Sequence, residues 1–227
     1  MVNQVAAQSK PNEAAPVANA IVGLLIANAT VFVSSFCIMV LELVAGRVIT
    51  PYVGTSLYTW TSIIGIVLAG IAVGNYFGGR LADRFATSRT RAKRVLAILF
   101  ILAGVIAAGI GFYNSFFGTM PFLKNLDEPR LRIALHVTLV FFLPCFVIGH
   151  ISPVVAKSAL DLGLLVGRTM GSVYAWGVVG SIIGTFMTGF FFVAVMKTST
   201  IILSVAALLV AMGVLYGIAS VGPPKKA

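Results

Sequence analysis

The sequence predicts an all-α integral membrane protein: six transmembrane helices, arranged as two inverted three-helix repeats. Three observations carry that prediction. Hydrophobic residues make up 59% of the 227 residues and charged residues only 10%, with a mean hydropathy of +1.04. A soluble domain carries about 25% charged residues. Six apolar stretches, at 20–46, 57–79, 95–117, 133–152, 171–196 and 199–219, each reach the length of roughly 20 residues that a spanning helix needs. The chain also echoes itself. Ser56-Leu-Tyr58-Thr-Trp60 returns as Ser172-Val-Tyr174-Ala-Trp176, 116 positions later, and Gly46-Arg47-Val-Ile-Thr-Pro51 is echoed by Gly149-His150-Ile-Ser-Pro153. An odd number of spans separates the copies, so the second is inverted in the membrane, as in many secondary transporters.

Taken in order, residues 1–19 are rich in Ala, Asn, Gln and Pro without an apolar period, and read as a disordered cytoplasmic tail. They lack the basic start of a secretory signal peptide, and the first apolar run is too long for one. The six-helix domain occupies 20–222, and 223–227 form a short basic tail. The first span is apolar except for Asn28, Ser34, Ser35 and Glu42. A lipid-facing helix would not tolerate Glu42, so one of its faces points into protein or water. The second span opens on Tyr58 and Trp60, which suit the headgroup level. It carries Gly70, Gly74 and Gly78 along one face, a small-residue stripe that lets a neighbouring backbone approach closely. Asn75 beside that stripe needs a partner.

The third span is the plainest and is expected to face lipid over much of its surface. Residues 118–132, with Pro121 and Pro129, read as a surface loop, and Pro144 is expected to kink the fourth span. The amphipathic connection 154–170 has room for a short interfacial helix. The fifth span carries Gly177, Gly180, Gly184 and Gly189, and the sixth ends at Gly222-Pro223-Pro224.

Net charge is +10 and the pI about 10.1. In a membrane protein this balance sets topology and calls for no nucleic acid. The densest basic run is Arg80, Arg84, Arg89, Arg91, Lys93 and Arg94, after the second span. The positive-inside rule makes this loop cytoplasmic, and alternation then puts both termini in the cytoplasm. Lys157, Arg168, Lys225 and Lys226 fall on the same side; Arg47, Lys124, Arg130, Arg132 and Lys197 fall opposite.

Glu42 is the sharpest candidate site. It reads either as a carboxylate for a cation or proton, or as half of a structural ion pair with Arg47. Five residues separate the two, about 140° around a helix, so they do not stack in the usual way. Asp83 lies among Arg80 and Arg84 and reads as an interface charge network. His150 reads as a polar anchor or, with Asn75, as a polar relay. The stripes of Gly70, Gly74 and Gly78, and of Gly180 and Gly184, read as packing surfaces. Cys37 and Cys145 lie inside apolar runs and read as small hydrophobes. No metal-ligand spacing, cofactor motif or nucleophile–base arrangement is legible.

The stretch Glu42-Leu43, Arg47, Pro51, Gly54, Ser56, Trp60, Gly70, Gly74, Gly78-Gly79 and Asp83 resembles the membrane module of fused major-facilitator/spermidine-synthase-like proteins. A second stretch, Gly167-Arg168-x-x-Gly171-x-x-Tyr174-Ala175-Trp176-x-x-x-Gly180-x-x-x-Gly184, is similar to that module's later signature, where the family usually has Asn in place of Trp176. Gly79-Arg80-Leu-Ala-Asp83-Arg84 also resembles the loop between helices 2 and 3 of major facilitators, departing from it over Ala86-Thr87-Ser88-Arg89. The resemblance implies half a major-facilitator-like bundle, and for Asp83 a gating latch. In the fused proteins an aminopropyltransferase-like domain accompanies the module, and no stretch of these 227 residues matches it.

The expected function is therefore a non-catalytic membrane subunit or scaffold that anchors or serves a separately encoded partner. The alternative is a homo-oligomeric transporter of small cations such as polyamines, and the third reading a spermidine-synthase-like enzyme by homology only. Expected partners are the lipid bilayer and another membrane or membrane-associated protein or a second copy of the chain, with the cell membrane as its location.

Overall fold

The computed structural model describes residues 14–221. The first thirteen residues of the expected tail and the basic tail 223–227 lie outside the described residues. Residues 14–19 are helical and belong to the first span. Every described element is helical.

The first span is α1 (Ala14–Val53). It closes on Gly54, whose φ of 74° is one that residues with a Cβ rarely adopt, and whose N–H donates to the Thr50 carbonyl at 2.9 Å. The second is α2 (Leu57–Phe85), capped by Ser56, whose Oγ accepts from the Thr59 N–H at 3.1 Å. The third is α3 (Arg89–Ala108), bent by 46° into α4 (Ile110–Thr119). The bend falls at Gly109, where a Cβ would stand 2.7 Å from the Tyr113 ring. Among the described residues five helices are long and apolar enough to cross a membrane, and this bent pair, taken as one span, gives a sixth.

A short α5 (Pro121–Lys124) precedes the fourth span. That span runs from Pro129 to Leu160 as α6 (Pro129–Val137), a π-helical turn (Thr138–Phe142), α7 (Leu143–Gly149) and α8 (Ile151–Leu160). Pro144 has no N–H and would crowd the carbonyl four residues back, and the wider π turn just before it absorbs that misfit. The separate interfacial helix expected within 154–170 is absent. Its first half is the end of the fourth span, closed by Gly163 at φ 75°, and its second half already belongs to α9 (Val166–Phe186). After α9 come a second π turn (Met187–Phe192), α10 (Val193–Val195) and the last span, α11 (Thr198–Val221).

The spans pack in three main pairs: α1 with α9, α2 with α7 and α8, and α3 with α11. Glycines set all three. A Cβ on Gly74 would collide with the Phe146 carbonyl oxygen, and one on Gly180 with the Phe32 carbonyl oxygen. A Cβ on Gly184 would stand 2.8 Å from the Phe36 carbonyl, and one on Gly70 3.1 Å from the Phe142 carbonyl. Only a hydrogen fits at such contacts, which bring Cα–H groups against carbonyls and maximise dispersion.

These contacts obey one rule. Moving 110 positions along the chain carries Gly70 to Gly180 and Gly74 to Gly184, and the same step carries Phe32 to Phe142 and Phe36 to Phe146. Each glycine–carbonyl contact thus becomes the other. Buried Thr59 and Ile63 of α2 likewise correspond to buried Thr169 and Val173 of α9. For the third spans the step is 109. Gly104 faces the Ala206 carbonyl and Gly213 faces the Ala97 carbonyl, so that pair maps onto itself. Each unit holds three spans, so the two units are inverted copies.

The register corrects the sequence reading. The two Ser-x-Tyr-x-Trp motifs, 116 apart, are not equivalent: Ser56 caps α2, while Ser172 lies inside α9 and its Oγ accepts from Asn28 Nδ2 at 2.8 Å. The difference of six residues turns the helix by about 240°, onto another face. The third span buries one face, with Gly104 and Phe100 against α11, and leaves Ile98, Leu102, Val105 and Phe112 exposed on the other.

Candidate functional site: a cavity at the basic end and its mirrored contacts

The C-terminal half of α2, α8, α9 from Val173 to Phe186, and Val31 and Ser35 of α1 line an open-sided cavity of about 840 Å³. It lies at the end of the bundle that carries the basic loop. The wall is largely apolar, with polar groups from Ser35, Asn75, Ser152, Ser181 and Thr185. Small residues make the room. Gly79 and Ala82 of α2 and Gly177 of α9 face it, where larger side chains would fill the space.

At its rim the Lys157 ammonium donates to Asp83 Oδ1 at 2.9 Å. The Asp83 side chain is 80% exposed and that of Lys157 30%. The contact joins α2 to α8 across the mouth. The expected network of Asp83 with Arg80 and Arg84 is not formed. Arg80 lies over the Tyr76 ring at 4.0 Å and Arg84 over Phe85 at 5.6 Å. Arg84 follows Asp83 directly and leaves the helix in another direction; Arg80, three residues back, is within reach of Asp83 but lies on Tyr76, while Asp83 takes the Lys157 ammonium.

Glu42 and Arg47 are not brought together either. Arg47 is exposed, and its Nη1 donates to the Val193 carbonyl at 3.0 Å. Glu42 is half-buried, and its Oε2 is buried with no hydrogen-bond partner among the described residues. Helical phase keeps the two apart, since residues five apart do not share a face. A double-mutant cycle of Glu42→Gln and Arg47→Gln, read by thermal unfolding in detergent, should therefore be additive to within about 0.5 kcal/mol. Rescue of the single loss by the double change would restore the ion-pair reading.

The two cations do correspond through the repeat. Arg47 moves to Lys157 and Val193 to Asp83 under the step of 110, so the Arg47–Val193 contact at one end is the counterpart of the Lys157–Asp83 pair at the other. Glu42 moves to Ser152, Gly46 to Ala156, and Asn75 to Thr185, all cavity-lining positions. At the opposite end the equivalent space is filled. The Trp60 ring would stand 3.0 Å from a Cβ on Gly46, and the Phe192 ring meets Phe36 edge-on at 6.4 Å.

His150 and Asn75 do not form a relay. His150 is buried where the backbone of its own span crosses Gly78, and its Nδ1 bonds the Phe146 carbonyl at 2.8 Å. Asn75 is exposed on the open face of α2. Sequence reading passed over Lys157, Ser152 and Thr185. The signal for them was present, because the glycine stripes 70/74 and 180/184 carry the true register. It also passed over the cluster at the opposite end. There Asn114 Nδ2 donates to the Val48 carbonyl at 2.8 Å, Asn114 Oδ1 accepts from His136 Nε2 at 2.9 Å, and the Tyr52 ring stacks on His136 at 5.6 Å. Among the described residues no three His, Cys, Asp or Glu side chains gather to hold a metal ion.

No family model, no curated protein and no solved structure matches this chain.

Proposed function

We propose that this protein is a membrane carrier for a small organic solute, working as a six-helix unit beside a second copy of itself. The observation that carries the reading is the cavity at one end of an inverted repeat, with the counterpart space at the other end filled. Carriers built from inverted repeats bind near the bilayer midplane, where the repeats meet. Asn75 and Thr185, which exchange under the repeat, lie at the inner end of this cavity on the open faces of α2 and α9. An amide on a lipid-facing surface is costly, and a second copy closing the cleft would relieve it. The basic end is cytoplasmic in this reading, in keeping with the excess of cations there.

Flux into proteoliposomes tests it. Short-chain amines and zwitterions, supplied one at a time as radiolabelled solutes, should include at least one that enters saturably. That flux should be lost in Asn75→Leu, which replaces the amide facing the cavity with an apolar side chain. An intact, monodisperse protein with no saturable flux for any of them would overturn the reading.

The open face of α2 and α9 also favours a second reading, a scaffold that holds a separately encoded membrane partner. Leu68, Val178, Ile182 and Phe186 are exposed on it beside Asn75 and Thr185. Crosslinking in native membranes at Val178→Cys distinguishes the two. A self-crosslink supports the carrier, and a crosslink to one defined other protein supports the scaffold.

A further inference from the structure

The two ends of the bundle are built on one plan and differ in state. At the basic end Gly79 and Ala82 of α2 line the cavity, and nothing stands within 4 Å of a Cβ on Gly79. The step of 110 carries Ala82 to Phe192, and at the opposite end that ring is packed on Phe36. Trp60 covers Gly46, the counterpart of the cavity-lining Ala156. Arg47 holds the Val193 carbonyl where Lys157 holds Asp83.

The end away from the basic loop thus repeats the plan of the cavity with aromatic rings in its space. We propose that a second cavity opens at the end away from the basic loop when the two repeats exchange their arrangements, and that Glu42 is its binding carboxylate for an alkylammonium group. The inference rests on the carrier reading above and adds to it the residue and the ligand class.

Glu42 takes in the second cavity the place that Ser152 takes in the first. Its Oε2 is buried and has no hydrogen-bond partner among the described residues. A buried carboxylate oxygen left without a partner is costly, so a state that supplies one is favoured. Arg47 does not supply it, being engaged with α10. Asn75 and Thr185 exchange places under the repeat and therefore face either cavity. The polar set of the second cavity is then the Glu42 carboxylate, the Asn75 amide and the hydroxyls of Thr50, Tyr76 and Thr185, with Arg47 at the rim as Lys157 is in the first, on an apolar wall that includes Leu43, the counterpart of Pro153. A divalent metal ion would leave its second charge unbalanced beside a single carboxylate, and Arg47 at the rim adds a like charge. An ammonium needs few acceptors and one balancing charge, and its alkyl stem suits the apolar wall. The same solute would lose the Glu42 carboxylate when the cavity turns to the basic end, where Ser152 stands instead and the Asp83 carboxylate is already paired with Lys157. That difference in affinity favours capture at the end away from the basic loop and release at the basic end.

The test uses the full chain with Cys37 and Cys145 replaced by Ala, reconstituted in liposomes and labelled from one side at a time with a membrane-impermeant maleimide. Ser152→Cys should react only from the basic-end side. Leu43→Cys should react only from the other side, and more slowly. Should Leu43→Cys not fold, Thr50→Cys, the counterpart of cavity-lining Leu160, replaces it. Butylammonium at four times its Kd should slow labelling at position 43 about fivefold. That protection should vanish in Glu42→Gln and persist in Glu42→Asp. Labelling at position 152 from the basic-end side with none at 43 or 50 from the other would overturn the second cavity and leave the carrier reading standing. Equal protection in Glu42→Gln would overturn the role of Glu42. A thiol at 152 that never reacts from the basic-end side would remove the carrier reading, and this inference with it.

Discussion

Gly74→Leu should separate α2 from the fourth span and cost stability at or beyond the upper end of the roughly 1–3 kcal/mol typical of overpacking. The reason is what the new side chain would meet. A Cβ there collides with the Phe146 carbonyl oxygen and stands 3.0 Å from the Gly149 Cα, both parts of a helix backbone that cannot rotate away. The repeat makes the experiment self-controlled. Gly184→Leu meets the Phe36 carbonyl at the counterpart position and should cost a similar amount by separating α1 from α9. Gly65→Leu and Gly171→Leu have open space around them and should gain up to about 0.8 kcal/mol of helix propensity. Thermal unfolding in detergent, followed by loss of monodispersity, reads all four. Equal and small effects at 74, 184, 65 and 171 would mean that the glycine faces are not the packing faces.

Asn114→Leu should be the most damaging polar-to-apolar change in the bundle. Asn114 is buried in α4, donates to the Val48 carbonyl of α1 and accepts from His136 of α6. It is a joint between three elements on the side where the third span bends. Leucine has a similar branched shape but more bulk, and satisfies neither partner. The stranded imidazole N–H costs about 1–3 kcal/mol in a buried setting, and the loss of the Val48 contact adds to it. His136→Phe alone should cost less, because it keeps the stack on Tyr52 and leaves only one Asn114 acceptor open. In the double variant Asn114→Leu with His136→Phe, both partners of that bond are gone, and part of the single loss should return. A double variant no better than Asn114→Leu would mean that the contact to Val48 carries the effect.

Much of this architecture follows from the amino-acid sequence alone. Six apolar runs of spanning length and very few charges dictate a helical membrane bundle, because the bilayer offers no partner for an open backbone. The glycines at 70, 74, 180 and 184 announced close helix contacts, and their spacing held the true repeat register. A stripe of small residues says that a backbone comes near, and it does not say which one. That partner, Phe142 and Phe146 for one stripe and Phe32 and Phe36 for the other, was decided only by the packed structure.

The aromatic motif misled because it answers to a different force. Tyr and Trp near a helix start follow membrane depth, so they recur without being equivalent under the repeat. The charges were the least legible part. Glu42 and Arg47 are close in sequence, yet helical phase sends Arg47 to Val193 and leaves Glu42 without a partner. Asp83 has two arginines within three residues and pairs with Lys157, 74 positions away. Sequence fixes where a charge enters the membrane. Its partner depends on which helix crosses at that height, and this is set by backbone contact at the glycines, since packing fixes the crossing and the charged side chains adapt to it.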